Sequence, residues 1–170
     1  MKFYPRFGFR NITEKVFSSD SVLSNKKYSA RKLNIKDRED YHLLLDLLRE
    51  RKTLTKIFGC RNYGFITMWH VLNTYADNLY YLEEDAIVIK TENDETLHVV
   101  DIIYRKLFNV QTALSRVVES DIIRSIKYYF PPDQLKYEYD KIENDNTYLF
   151  IRGEIELEDV LLKFPETAHT

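Results

Sequence analysis

A single cysteine, Cys60, excludes an intramolecular disulfide and a cluster of thiolate metal ligands. No histidine stands at a local spacing that would activate it, so Cys60 reads as a small buried hydrophobe rather than a reactive thiol. Glycine is nearly as scarce, with only Gly8, Gly59, Gly64 and Gly153 in 170 residues. Backbone approaches a phosphate closely where no Cβ intervenes, which excludes a glycine-rich phosphate loop and a dinucleotide-binding fingerprint. A GxSxG elbow and a kinase signature are absent as well. Nor does charge of one sign accumulate: 25 Lys and Arg face 27 Asp and Glu, for a net charge of −2. Such a balance lacks the basic excess that a nucleic-acid partner requires. No apolar run approaches the ~18 residues of a membrane span, and the opening MKFYPRFGFR lacks the apolar core of a secretion signal. The expectation is a cytoplasmic protein with neither nucleic acid nor a membrane as partner.

What the chain does contain is a hydrophobic fraction of 44%, enough for the core of one full-sized domain, and 13 tyrosines. Many of these fall in strand-like runs such as Leu79-Tyr80-Tyr81-Leu82 and Lys127-Tyr128-Tyr129-Phe130, where aromatic side chains pack well on a pleated surface. They read as sheet residues first and as the lining of an aromatic ligand pocket second.

Along the chain, residues 1–27 differ from the rest. A compact turn signal is followed by a short alternation through Val16-Phe17, then by the serine- and lysine-containing stretch Ser18–Lys27, the best linker candidate. From Tyr28 to Ile35 the alternation predicts a strand, and Asp37 stands at the N-cap of a helix with Glu39 and Asp40 in its first turn. Tyr41, Leu44, Leu45 and Leu48, continued by Ile57 and Phe58, form that helix's apolar stripe. A second helix is predicted from Phe65, Met68, Trp69, Leu72 and Tyr75. Strands over 79–82, 86–91 and 97–104 follow, the last two joined as a hairpin through Glu92–Glu95. Val110, Ala113, Leu114, Val117 and Val118 predict a short helix, Ile122–Phe130 a strand stopped by Pro131-Pro132, and Tyr148–Arg152 a last strand. Residues 154–170 suit a short helix or an edge strand. The fold class is α+β, with the 86–104 hairpin central in a largely antiparallel sheet.

Candidate chemical groups are few. None of His42, His70, His98 and His169 lies at helical metal-ligand spacing to another ligand, so no metal site is predicted. His98 sits inside a strand without a partner that spacing can name. Period-two geometry places Asp101 on the apolar face of Leu97, Val99 and Ile103, either as a buried acid with a raised pKa, or as one that is paired or lies where that face becomes solvent-exposed.

Phe3-Tyr4-Pro5-Arg6-Phe7-Gly8-Phe9 resembles the FYxxxGF segment near the end of catalytic domains in the GNAT acetyltransferase superfamily. The stretches FGCRNYGFITMWHVLN and NLYYLEEDAIVIKTENDETLHVVDII, with the ending FPETAHT, resemble the C-terminal region of longer two-part bacterial GNAT proteins. The resemblance implies that residues 1–27 are the tail of a catalytic domain plus a linker. Residues 28–170 then form a degenerate GNAT-like domain with a mostly antiparallel mixed sheet and flanking helices. It implies acetyl-CoA as the cofactor of the complete enzyme and Tyr4 as the acid that protonates the departing thiolate, once a complete catalytic half is present. In that family a glycine-bearing loop after the fourth strand holds the coenzyme A pyrophosphate. The corresponding Arg105-Lys106-Leu107-Phe108-Asn109-Val110 contains no glycine, leaving only Arg105 and Lys106 to attract an anion, so no cofactor is expected in this chain alone. The expected partner is a missing N-terminal GNAT half, with the chain shaping the acceptor site. The competing reading is a stand-alone interaction module that forms a homodimer through its aromatic strands.

Overall fold

The computed structural model describes residues 3–20, 29–57, 59–135, 139–154 and 161–169. A seven-stranded sheet in the order β2-β3-β4-β5-β6-β1-β7 organises them. Its strands are β1 (Phe9–Ser19), β2 (Arg31–Lys32), β3 (Leu79–Leu82), β4 (Ala86–Asn93), β5 (Thr96–Tyr104), β6 (Ser125–Tyr128) and β7 (Lys141–Arg152). Every pairing is antiparallel except β5 with β6, so the sheet is mixed and mostly antiparallel. Helix α1 (Arg38–Glu50) and helix α2 (Gly64–His70), which continues as a π-helical turn over Val71–Tyr75, cover one face. Helix α3 (Val110–Val117) covers the other. The result is an α+β fold with the 86–104 hairpin at its centre, and no described helix is long and apolar enough to cross a membrane.

Local chemistry accounts for much of this. Asp37 Oδ1 accepts hydrogen bonds from the Glu39 and Asp40 amides at 2.9 and 3.2 Å, capping α1 where two donors would otherwise lack partners. Asp40 is itself buried, and it accepts from Arg31 of β2 and from the Asn34 amide, fastening the helix to the sheet edge. Asp85 and Asp94 take left-handed φ values of 60° and 52° in the turns before β4 and β5, a conformation their short polar side chains tolerate. In the opening segment, Pro5 pre-sets the 3₁₀ turn Tyr4–Phe7, and Gly8 ends it at φ 77° with its amide on the Pro5 carbonyl.

Several expectations are corrected. The boundary between residues 27 and 28 does not divide the sheet: β1 is an interior strand between β6 and β7, and Ser18 and Ser19 of the expected linker are buried in it. The expected strand 28–35 shrinks to Arg31–Lys32, with Tyr28 outside the described residues. Helix α1 stops at Glu50, leaving Ile57 in an exposed loop; Phe58 also lies outside the described residues. The stripe expected to bury α2 largely faces solvent, with Phe65, Trp69 and Leu72 93%, 58% and 54% exposed. The inner face is Thr67, Met68 and Val71, because Thr67 Oγ1 reaches the Tyr63 and Thr167 carbonyls. Strand β6 is confined to Ser125–Tyr128, and β7 starts at Lys141 rather than Tyr148.

The pairing of β5 with β6 ends at Val99 and Tyr128, extended by one bond from the Tyr129 amide to the Val99 carbonyl. Beyond it β5 runs on to Tyr104, and β1 runs on from Phe17 toward Phe9 paired with β7 alone. The segment 161–169 bridges the opening between them. The Lys15 amide donates to the Leu162 carbonyl, the Phe164 amide to the buried Glu14 carboxylate, and Thr167 Oγ1 to Asp101 of β5. Replacing Asp37 by Ala should lower unfolding free energy by about 1 kcal/mol in a urea titration; unchanged stability would contradict the role assigned to this cap.

Candidate functional site

Where β6 leaves β5, a cavity of about 340 Å³ opens, lined by Tyr75, Thr91, His98, Val100, Tyr129 and Glu166. Five elements build it. Thr91 of β4 and His98 of β5 are register partners and so project on the same side. Val100 joins them because β5 bulges there: Ile89 pairs with Asp101 and Lys90 with Val99, leaving Val100 as the extra residue. Tyr129 follows β6, Tyr75 closes the π-helical turn after α2, and Glu166 comes from the bridging segment.

His98 Nδ1 and Tyr129 Oη are hydrogen-bonded at 2.9 Å, and the two rings stack with centroids 5.9 Å apart. When Nε2 carries the hydrogen, the phenol donates to Nδ1. Burial and the charge of Lys127 push His98 below the ordinary imidazole range, with Asp94 opposing. Burial, then Asp145 and Glu166, push Tyr129 up, with Lys163 opposing. Tyr75 is raised by burial, Glu166 and Tyr129. At neutral pH the site therefore presents a neutral imidazole and two protonated phenols, and Glu166 is the only acidic wall residue among the described residues. Behind Glu166, the buried Lys163 ammonium sits 2.8 Å from Asp145, 3.8 Å from Glu14 and 3.7 Å from Glu166, holding the segment's end in place. An unprotonated imidazole beside a carboxylate can attract a cationic ligand and take a proton from it.

Tyr4 is not part of this cavity. It lies in the 3₁₀ turn ahead of β1, 46% exposed, with its ring 4.6 Å from Phe150 and 6.0 Å from Phe9. From Phe9 to Phe17, where β1 meets β6, is roughly 25 Å of strand. Asp101 also falls outside, and its expected neighbours are corrected: the bulge sends Leu97 and Val99 into the α3-side core while Asp101 bonds to Arg51 and Thr167 on the α1 side. Of its two readings, the paired one holds. Arg105 is not available to an anion, because it donates to both oxygens of Asp85 at 2.8 and 2.7 Å and to Glu50 at 3.0 Å, bonds that raise its pKa further. Helix α3 begins with its own cap, Asn109 Oδ1 accepting from the Thr112 amide. Sequence reading singled out His98 but missed Tyr129, Tyr75, Thr91 and Glu166; the alternation in Lys127-Tyr128-Tyr129-Phe130 was the available signal, since it turns Tyr129 away from the buried Tyr128.

No protein-family profile matches the chain, and no curated protein matches its sequence. Among solved structures, it is similar to a GCN5-related N-acetyltransferase from Kribbella flavida, at a TM-score of 0.50 and 19% identity over 88% of this chain and 40% of that one. It also aligns with a functionally unknown conserved protein from Staphylococcus epidermidis, at a TM-score of 0.47 and 14% identity over 81% and 62% of the two chains. The first likeness shows a GNAT-like fold. The chain spans two fifths of the length of that Kribbella protein.

Because the folded state holds His98 below its ordinary pKa, it binds fewer protons than the unfolded chain as pH falls through about 6.5. This group therefore removes stability on acidification through that window and none above it. NMR titration of the His98 ring should give a midpoint below 6.5, moving upward in Lys127→Gln; a midpoint at or above 6.5 would contradict the site's electrostatics.

Proposed function

We propose that the chain is the acceptor-shaping part of a GNAT-type N-acetyltransferase, does not carry acetyl-CoA itself, and is not catalytic alone. The cavity at the end of β6 receives the amine-bearing acceptor. The observation that carries this reading is the joint placement of His98, Tyr129 and Glu166 at the point where the parallel pair of a GNAT-like sheet separates. A carboxylate with two phenols attracts an ammonium group, and a neutral imidazole receives the proton an amine must lose before it attacks a thioester. Fold alone would not specify this, since one fold hosts many chemistries.

The cofactor half of the reading rests on residues 105–110. That turn has no glycine, Arg105 is spent on Asp85 and Glu50, and the opening between β5 and β1 is bridged by residues 161–169. Tyr4 takes its general-acid role only when a complete catalytic half is joined. A second reading, a stand-alone module that pairs with another copy of itself, draws on a different observation, the exposed row of Phe65 and Trp69 on α2 and Leu72 on the turn after it. Those side chains lie on a helix and its π-helical extension rather than on the strands first expected to dimerise.

Calorimetric titration with acetyl-CoA at physiological salt should show no saturable binding. Lys106 contributes at most about 1 kcal/mol as an exposed charge, against about 8 for micromolar affinity. Primary amines should shift the His98 ring resonances in the wild type and much less in Glu166→Gln. A micromolar, salt-resistant acetyl-CoA site, or amine shifts indifferent to Glu166, would overturn the reading.

A further inference from the structure

We propose that a second cavity, between the end of α1 and the start of α2, binds a phosphate-type oxyanion. Its volume is about 240 Å³. Among the described residues the wall includes Arg51, Lys52, Thr53, Cys60, Arg61 and Tyr63, and no carboxylate. It shares no lining residue with the His98 cavity, so it stands independently of the amine reading.

Three features point to an anion. Lys52 and Arg61 are exposed and, among the described residues, neither forms an ion pair or side-chain hydrogen bond, whereas Arg31, Arg49, Arg51 and Arg105 around α1 are each paired to a carboxylate. The Arg51 guanidinium gives two nitrogens to Asp101, but its Nε is buried without a partner. Buried donors are normally satisfied, and an oxyanion would supply the acceptor that the unpartnered Nε lacks. Asp101 neutralises only one of the three cations, leaving an excess that suits a phosphate better than a single carboxylate.

The loop that forms the wall is already shaped. Gly59 packs so closely that a Cβ there would meet the Thr55 carbonyl at 3.1 Å and Thr53 Cγ2 at 3.2 Å. The Ile57 amide donates to Thr55 Oγ1, the Lys56 amide to Asp133, and Asn62 turns the chain with φ 59°. Arg51 lies 4.4 Å over the Tyr63 ring. A wall fixed in this way loses little freedom on binding.

Cys60, the only cysteine, is half-buried in this wall and reports on its occupancy. Burial pushes its thiol up and the Arg51 charge opposes that shift, so neutral iodoacetamide labels it slowly and measurably at mildly alkaline pH. At constant ionic strength set with potassium chloride, inorganic phosphate in the millimolar range should slow alkylation of the intact chain several-fold and saturably. The protection should vanish in Lys52→Ala/Arg61→Ala, whose exposed positions leave the fold intact by circular dichroism. A phosphoserine peptide protecting at lower concentration than free phosphate would identify a phosphorylated polypeptide as the source; equal or weaker protection would identify a free phosphate or small phosphomonoester. No slowing by either anion, or slowing that persists in the double variant, would overturn the proposal.

Discussion

Arg51 and Asp101 form an ion pair in which the carboxylate has no exposed surface and the guanidinium is 7% exposed, joined by bonds of 3.1 and 2.7 Å. Desolvating two charges is costly, and only close geometry with further hydrogen bonds offsets it. Here both conditions are met. Thr167 Oγ1 donates to the same carboxylate and Tyr63 lies beneath the guanidinium. Burial alone would lower the Arg51 pKa, yet Asp101 and the neighbouring tyrosines raise it overall. Three parts of the chain are held at one point: the end of α1, the bulged middle of β5, and the segment 161–169. Arg51 leaves the helix in an extended conformation to reach inward, and the Lys52 amide then bonds the Tyr104 carbonyl.

Both cavities depend on this point. On one side, Thr167 is fastened to Asp101 next to Glu166, so the pair holds the carboxylate wall of the His98 cavity. On the other, Arg51 is the inner wall of the cationic cavity. The buried Lys163, amid Glu14, Asp145 and Glu166, anchors the same segment to β1 and β7. The opening between β5 and β1 is thus closed by hydrogen bonds and ionic contacts of the segment 161–169 rather than by a strand, because Pro131 and Pro132 end β6 early.

What was legible in the sequence was local. The Asp37 cap, the turn at residues 92–95, the apolar stripe of α3 and the hairpin of strands 86–91 and 97–104 each arise from neighbours within a few residues, and each is found where expected. Contacts between distant segments were not legible. The bulge at Val100 shifts the period of β5, so counting by twos put Asp101 with Leu97 and Val99. Helical spacing found α2 but not its buried side, which is decided by Thr67 and the segment a hundred residues later. The insertion of β1 between β6 and β7 joins residues more than 100 positions apart, and nothing in the alternation of residues 9–19 names those partners. His98 was visible as an odd residue in a strand, but its meaning came from Tyr129, Tyr75 and Glu166, brought to it from three other elements.

The central claim is that one buried pair holds α1, β5 and the segment 161–169 together, and it is tested by removing a charge without removing volume. In Asp101→Asn, loss of one partner of a buried pair should cost roughly 3–5 kcal/mol, a fall in Tm of roughly 10 °C for a chain of this size. Native-state hydrogen exchange should show the Ala168 amide, which bonds the Pro165 carbonyl, losing protection along with the amides at the end of β5. A loss below about 1 kcal/mol, with Ala168 still as protected as in the wild type, would contradict the account.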